Sequence, residues 1–318
     1  MRSTNEQSLL VLDGIDVSYG GVSAVEAVSL SLELGQVVGI VGESGSGKST
    51  ILKAIMGLLG KSGHVDSGDI YFDGELLANR SDSERISFLN GRAAYIFQDP
   101  VSSLDPLFTV GNQFDEIMRI HFHTKDKAAM HKREMELLAD TGFDDPASVL
   151  KRYPFELSGG MCQRVVIAMA LACEAKLILA DEPTSALDVT VQSQVIDLLC
   201  RTVRDRNVAM LIVSHNMGVI SNCSQMIGVM YAGELVEFGT RDEVLDSPCH
   251  PYTRDLIRAI PTIDGQIPRA PEAVDRKVDS PCRYSDRCSC YRPACDACVE
   301  KRSLSESHWV LCTRGGEA

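Results

Sequence analysis

Gly42-Glu43-Ser44-Gly45-Ser46-Gly47-Lys48-Ser49-Thr50 decides how the rest of this chain is read. Gly42, Gly47, Lys48 and Ser49 occupy the fixed positions of the phosphate-loop pattern G-x-x-x-x-G-K-[ST]. The flanks agree: Gln36 to Val41 reads as a short buried strand, and Ile51 to Leu58 has apolar residues at helical spacing. Glycines let successive backbone N–H groups curl around an anion, and a helix start adds roughly half a positive elementary charge. Lys48 is therefore expected to reach the β and γ phosphates of a nucleotide, and Ser49 to hold Mg²⁺. Ser44, Gly45 and Thr50 complete the expected phosphate cradle.

The composition sets bounds on the rest. With 318 residues, 44% of them hydrophobic, the chain can build one large domain with an appendage, or two domains. A formal charge of -13 argues against a general affinity for nucleic acid or anionic lipid. The longest apolar run, Val165 to Cys173, is far shorter than the ~20 residues that span a bilayer. Met1 to Glu6 lacks the apolar core of an export signal, so the expected compartment is the cytosol, with reduced thiols and no disulfides. Five of the eleven cysteines are scattered, and six fall between Cys282 and Cys312.

Taken in order, Leu9 to Leu12 and Ala24 to Leu34 read as strands, with Val17-Ser18-Tyr19-Gly20-Gly21 between them as a turn whose aromatic ring could stack on a base. Gly68 to Leu76 reads as a strand with an Asp73-Gly74 turn, and Arg92 to Pro100 as a buried strand ending in Gln98. Residues 102–157 are charged and helical in pattern, an insertion with a solvated or partner-facing surface. It ends in Leu157-Ser158-Gly159-Gly160, a second anion cradle or a plain helix cap, before the apolar helix Val165 to Cys173. Lys176 to Ala180 then forms a buried strand that delivers Asp181 and Glu182, acids that are costly to bury unless they meet a cation or do chemistry. Ala209 to Val213 is a further strand, ending in Ser214-His215 beside the expected phosphate site.

In this order the elements resemble the ATP-binding subunit of ABC transporters, over residues 9 to about 260. Walker A at 42–49, the Q-loop at Gln98, the signature at 157–160, Walker B through Asp181-Glu182, the D-loop at 185–188 and the switch histidine His215 carry the resemblance. Met161 after the signature, where glutamine is commoner, and His250-Pro251-Tyr252-Thr253-Arg254 look like the oligopeptide, dipeptide and nickel importer branch. The fold implied is an α/β P-loop NTPase core with an N-terminal antiparallel β subdomain, a helical subdomain at about 102–160, and a small cysteine-rich extension over 261–318. The resemblance also implies a sandwich in which each ATP lies between one subunit's Walker A and another's signature. Ser158, Gly159 and Gly160 would then bind the partner's nucleotide. Tyr19 maps to the adenine-stacking aromatic, Gln98 to Mg²⁺ and the sensing of membrane subunits, Asp181 to the Mg²⁺ environment, Glu182 to the general base and His215 to the γ phosphate. The implied partners are a second ATPase subunit, favoured as a paralogue, two permeases and an extracytoplasmic solute-binding protein, with no nucleic acid. The implied place is the cytoplasmic face of the membrane, peripherally attached. Peptide is the leading solute, a nickel or other small-solute importer the near alternative, and a soluble ABC ATPase acting on ribosomes or DNA the alternative of a different class.

From Pro261 the texture turns to proline and charge, with Ile267 to Pro271 reading as a linker. Cys282, Cys288, Cys295 and Cys312 follow, with Cys290 and Cys298 interleaved. In the peptide-importer branch a similar four-cysteine spacing binds a [4Fe-4S] cluster, so the resemblance implies one here. The residues alone leave zinc and plain reduced thiols open. Arg283, Arg287 and Arg292 are expected to offset the negative charge of a cluster.

Overall fold

A computed structural model describes residues 8–77, 80–122, 126–185, 187–260 and 281–313. The expected linker at 267–271 lies outside these residues.

The chain opens with β1 (Ser8–Tyr19) and β2 (Val22–Glu33), joined at Gly20-Gly21 into an antiparallel hairpin. Both strands exceed their expected lengths, and Tyr19 ends β1 rather than sitting in a turn. The reason is local: β1 carries register shifts between Leu12 and Val17, which break the two-residue alternation that would have marked it as continuous. β3 (Val37–Val41) is buried along its whole length and feeds the glycine loop, after which α1 (Lys48–Met56) begins. β4 (Gly63–Phe72) and β5 (Glu75–Leu76) complete a four-stranded antiparallel sheet in the order β2-β1-β4-β5. α2 (Asp82–Leu89) then starts on a reciprocal cap between Ser81 and Glu84.

β6 (Ala93–Ile96) is followed by the expected helical insertion, α3 (Val110–Phe122), α4 (Lys127–Asp140) and α5 (Pro146–Leu150). α6 (Gly159–Ala172) is apolar around nearly its whole circumference because it is packed by α3, α4, β6 and α7 (Val189–Asp205) together. Between α6 and α7 runs β7 (Leu177–Asp181), buried throughout. β8 (Ala209–Ser214), α8 (Met217–Cys223), β9 (Met226–Tyr231), β10 (Glu234–Thr240), α9 (Arg241–Asp246) and α10 (Pro251–Arg258) close the core. The tail adds β11 (Lys301–Ser303) and β12 (Trp309–Leu311), with β12 antiparallel to β10. The second sheet thus runs β11-β12-β10-β9-β3-β8-β7-β6, with β6, β7, β8, β3 and β9 mutually parallel.

The expectation of no disulfides is overturned: Cys200 of α7 and Cys223 of α8 are bridged, their Cα atoms 5.6 Å apart. Their helices pack against each other and bury both cysteines, which puts the pair within the reach of a bridge whatever the compartment. Among the described residues no helix is long and apolar enough to cross a membrane.

Candidate nucleotide-binding site

The parallel strands bring their carboxyl ends to one side, where open α/β sheets place their ligands. β3 delivers the glycine loop, β6 delivers Gln98, β7 delivers Asp181 and Glu182, and β8 delivers His215. The result is a cleft of about 590 Å³, lined by Tyr19, Ala24, Ser44, Gly45, Gly47, Lys48, Ser49, Thr50, Gln98, Glu182, Ser185 and His215. That volume suits a ligand of nucleotide size.

Lys48 is buried, and its Nζ donates to the carbonyls of Gly42 (2.9 Å) and Glu43 (2.8 Å). Burial pulls the ammonium below its usual pKa, opposed by the charges of Glu182, Asp181 and Glu43. Gly42 stands directly behind the cleft, where a Cβ would lie 2.1 Å from the Met230 carbonyl oxygen. Ser49 Oγ donates to Asp181 Oδ1 at 2.6 Å, and Tyr95 Oη donates to Asp181 Oδ2 at 2.8 Å. The buried carboxylate thus meets a donor at each oxygen, as a buried charge must. Glu182 Oε2 receives Gln98 Nε2 at 3.1 Å and lies 3.2 Å from His215 Nδ1. The backbone of Glu182 has φ 43, a left-handed conformation that is costly for a glutamate and is pinned by its N–H bond to the Val213 carbonyl at 3.0 Å.

Of the residues expected at the site, ten line the cleft, while Gly42 and Asp181 stand immediately behind it. Ser158, Gly159 and Gly160 do not line it. They form the start of α6, where Ser158 Oγ accepts the Met161 N–H at 3.3 Å. Sequence reasoning missed Tyr95, whose aromatic in a buried strand gives no hint that its hydroxyl holds Asp181. It also missed Ala24 as a wall of the cleft.

In the tail, Cys282, Cys288, Cys290, Cys295 and Cys312 line one cavity with Tyr284, and Cys298 is exposed outside it. The cavity holds about 20 Å³, room for about one water. Burial raises the Cys282 thiol and pushes Cys288 up to about 11. Arg283 and Arg287 do not line the cavity: Arg283 pairs with Glu26, and Arg287 with Glu43 at 2.9 Å. Their charges are spent on the ATPase core rather than on the thiols, contrary to expectation, and Arg292 is exposed. A separate trio, Glu237, Cys249 and His308, has ligand-type atoms within 4.8 Å of one another. The Glu237 carboxylate is already engaged, by the N–H groups of Cys249 (2.8 Å) and His250 (2.9 Å) and by His308 Nε2 (2.9 Å). The trio is a staple between β10 and the tail.

The ABC transporter family profile matches residues 25–185, and the profile for the oligopeptide/dipeptide transporter C-terminal region matches residues 236–295. A dipeptide transport ATP-binding protein, DppD of Escherichia coli, is 41% identical over 96% of this chain and 97% of its own length. The chain belongs to the ABC transporter ATP-binding proteins. It is an ABC-type ATPase, of the group that couples ATP hydrolysis to transport. The DppD of Bacillus subtilis is 39% identical over 96% of this chain and 94% of its own. Among solved structures, a dimeric ATP-binding cassette in a post-hydrolysis state with ADP and phosphate aligns with a TM-score of 0.64 and 27% identity, over 73% of this chain and 98% of that one.

Proposed function

We propose that this ABC ATPase powers the import of di- or oligopeptides, and that the cleft is one half of its ATP site. The observation that carries the catalytic assignment is Glu182. Its carboxylate, held by Gln98 and His215 in the cleft that Lys48 also lines, orients a water and takes its proton as that water attacks the γ phosphate. Lys48 exchanges its loop carbonyls for the β and γ phosphate oxygens. The loop N–H groups of Ser44 to Ser49 receive the remaining phosphate charge, and Tyr19 stacks on the base. Hard oxygen donors fit Mg²⁺: Ser49 Oγ stands beside the Asp181 carboxylate, and the Gln98 bond to Glu182 through Nε2 leaves Oε1 for the ion. Bound there, Mg²⁺ supplies charge neutralisation at the phosphates. Glu182→Gln keeps the hydrogen bonds but cannot accept the proton, so nucleotide binding persists while hydrolysis falls by about 10²-fold to 10⁴-fold. Near-normal turnover would remove Glu182 from the role of base.

The signature residues Ser158, Gly159 and Gly160 do not line their own chain's cleft, which supports pairing with a second ATPase subunit whose nucleotide they contact. Permease subunits are the natural partners of a transporter ATPase. Leu107 and Phe155, 78% and 73% exposed, with Phe108 and Tyr153 nearby in sequence, support the helical insertion as the face that docks on them. Peptide as the solute rests on the similarity to the DppD proteins and on the matched C-terminal region. Reconstituted with its permeases and binding protein, the ATPase is expected to be stimulated by a dipeptide and not by nickel.

The cysteine cavity gathers thiols in apolar surroundings, and sulfur is the donor type that supports an iron–sulfur cluster of the [4Fe-4S] kind. Among the described residues the one trio compact enough for a single ion is Glu237, Cys249 and His308, so neither zinc nor a cluster meets a preformed set of tail thiols. A bound group has to spread the thiols, since the cavity as it stands admits about one water. Cys282, Cys288, Cys295 and Cys312 would hold the cluster, whose contribution is a cross-link for the tail. About four iron and four sulfide per anaerobically purified chain is the expected content; zinc without iron would refute it.

A further inference from the structure

The tail reaches the Walker A loop directly. Arg287, the residue before Cys288, spans 244 positions of sequence to set Nη1 and Nη2 on Glu43 Oε2 and Oε1, at 3.0 and 2.9 Å. Glu43 is the second residue of the glycine loop, and its backbone is held as well. Its N–H donates to Tyr252 Oη at 2.9 Å, and its carbonyl accepts Lys48 Nζ at 2.8 Å. The Tyr252 ring packs 4.6 Å from Tyr231 and 5.3 Å from Tyr284, and Tyr284 lines the cysteine cavity. The Arg287 guanidinium also lies over the Tyr231 and Tyr284 rings, 5.9 and 5.7 Å from their centroids. Arg283, the residue after Cys282, holds Glu26 and the Ala232 carbonyl. The next residue, Gly233, donates its N–H to the Ser46 carbonyl in the same loop at 3.0 Å. Arg287 therefore braces the glycine loop directly at Glu43, while Arg283 holds the residue before the one that bonds Ser46.

We propose that Arg287 is a positioning residue of the ATP site, setting the pose of Glu43 and through its carbonyl the stance of the Lys48 ammonium. The tail is then part of the machinery that shapes the phosphate loop, although none of its residues lines the cleft. A two-point fork fixes the orientation of a carboxylate in a way that a lone charge does not, so arginine is the residue suited to this task. The pair is partly open to solvent, with side chains 29% and 46% exposed, so it adds little to global stability. Its effect falls on the loop, where small displacements matter to phosphate contacts. This inference rests on reading the cleft as a nucleotide site.

The test is the affinity of the full-length protein for a fluorescent ATP analogue with Mg²⁺, together with its melting temperature without nucleotide. Arg287→Ala is expected to weaken binding by about threefold to tenfold, the size of one charge-assisted two-point contact, with little change in melting. Arg287→Lys keeps the charge without the fork and recovers only part of the loss. Glu43→Gln produces a similar loss, and the double variant is no worse than either single one, because both remove the same contact. Affinity of Arg287→Ala within twofold of wild type, or losses that add in the double variant, would overturn the proposal. Should Arg287→Ala fail to fold, Glu43→Gln carries the same expectation and the same refutation. Binding by wild type that survives Lys48→Ala unchanged overturns the nucleotide reading itself, a different outcome from failure of the clamp.

Discussion

Adding one methyl group at Gly42 tests the link between loop geometry and turnover. Its Cβ would lie 2.1 Å from the Met230 carbonyl oxygen and 2.8 Å from Ser46 Oγ, whereas ordinary contact begins at 3.4 Å. The serine hydroxyl can rotate away, but the carbonyl belongs to β9 in the middle of the sheet and cannot. The loop must therefore retreat by about 1.3 Å, and the Gly42 carbonyl that receives Lys48 Nζ moves with it. A displacement of about 1 Å at a phosphate-positioning group costs about 10²-fold in rate. Gly42→Ala is accordingly expected to lower kcat/KM for ATP by about 10²-fold while the fold persists. Gly74→Ala is the internal comparison, because its Cβ meets nothing within 4 Å, only its φ of +80 is unfavourable, and it does not line the cleft. That variant pays about 1 kcal/mol of backbone strain and keeps the shape of the cleft. Steady-state hydrolysis read with circular dichroism melting separates the two effects. Turnover of Gly42→Ala within threefold of wild type would show that the contact with Met230 does not shape the loop.

Other consequences are as direct. Removing the Glu237 carboxylate in Glu237→Ala leaves a buried and a part-buried N–H group and His308 without their acceptor, at about 3 kcal/mol in total, measurable by urea unfolding. A change under about 0.5 kcal/mol would show that the staple is dispensable. His250 is buried with Nδ1 accepting the Tyr252 N–H at 3.1 Å, and burial pulls its pKa from 6.5 down to about 3. Its unfolded form takes up a proton that the folded form refuses, so its share of stability is full above about 6.5 and is lost as pH falls towards 3, by at most about 1.4 kcal/mol per pH unit. His250→Asn keeps an acceptor for Tyr252 and should remove one proton from the slope of stability against pH. An unchanged slope would place the acid sensitivity elsewhere.

Motifs that are local in sequence were legible because their physics is local. The glycine loop, the acids after a run of four apolar residues, and the histidine after another all stand where strand ends must stand in a parallel sheet. Contacts made across the chain left no such trace. Tyr95 reads as packing, and only the pairing of β6 with β7 reveals that its hydroxyl holds Asp181. The Arg287–Glu43 pair joins residues that no pattern connects. The Cys200–Cys223 bridge depends on how α7 meets α8, which composition cannot encode. β11 and β12 are three residues each, too short for any alternation to show.

Those two short strands have a consequence for the rest of the molecule. β12 lies along the outer edge of β10, pairing Val310 with Glu237 and Trp309 with Phe238, while Trp309 stacks on the Phe238 ring at 6.2 Å. An unpaired strand edge is a template on which another chain can add, and β10 is buried along most of its length. The tail thus acts as a built-in guard rail, occupying hydrogen-bonding positions that would otherwise recruit strangers. A chain cut after the last core helix loses the Arg287 brace and also exposes that edge, so self-association is a defect to look for in it.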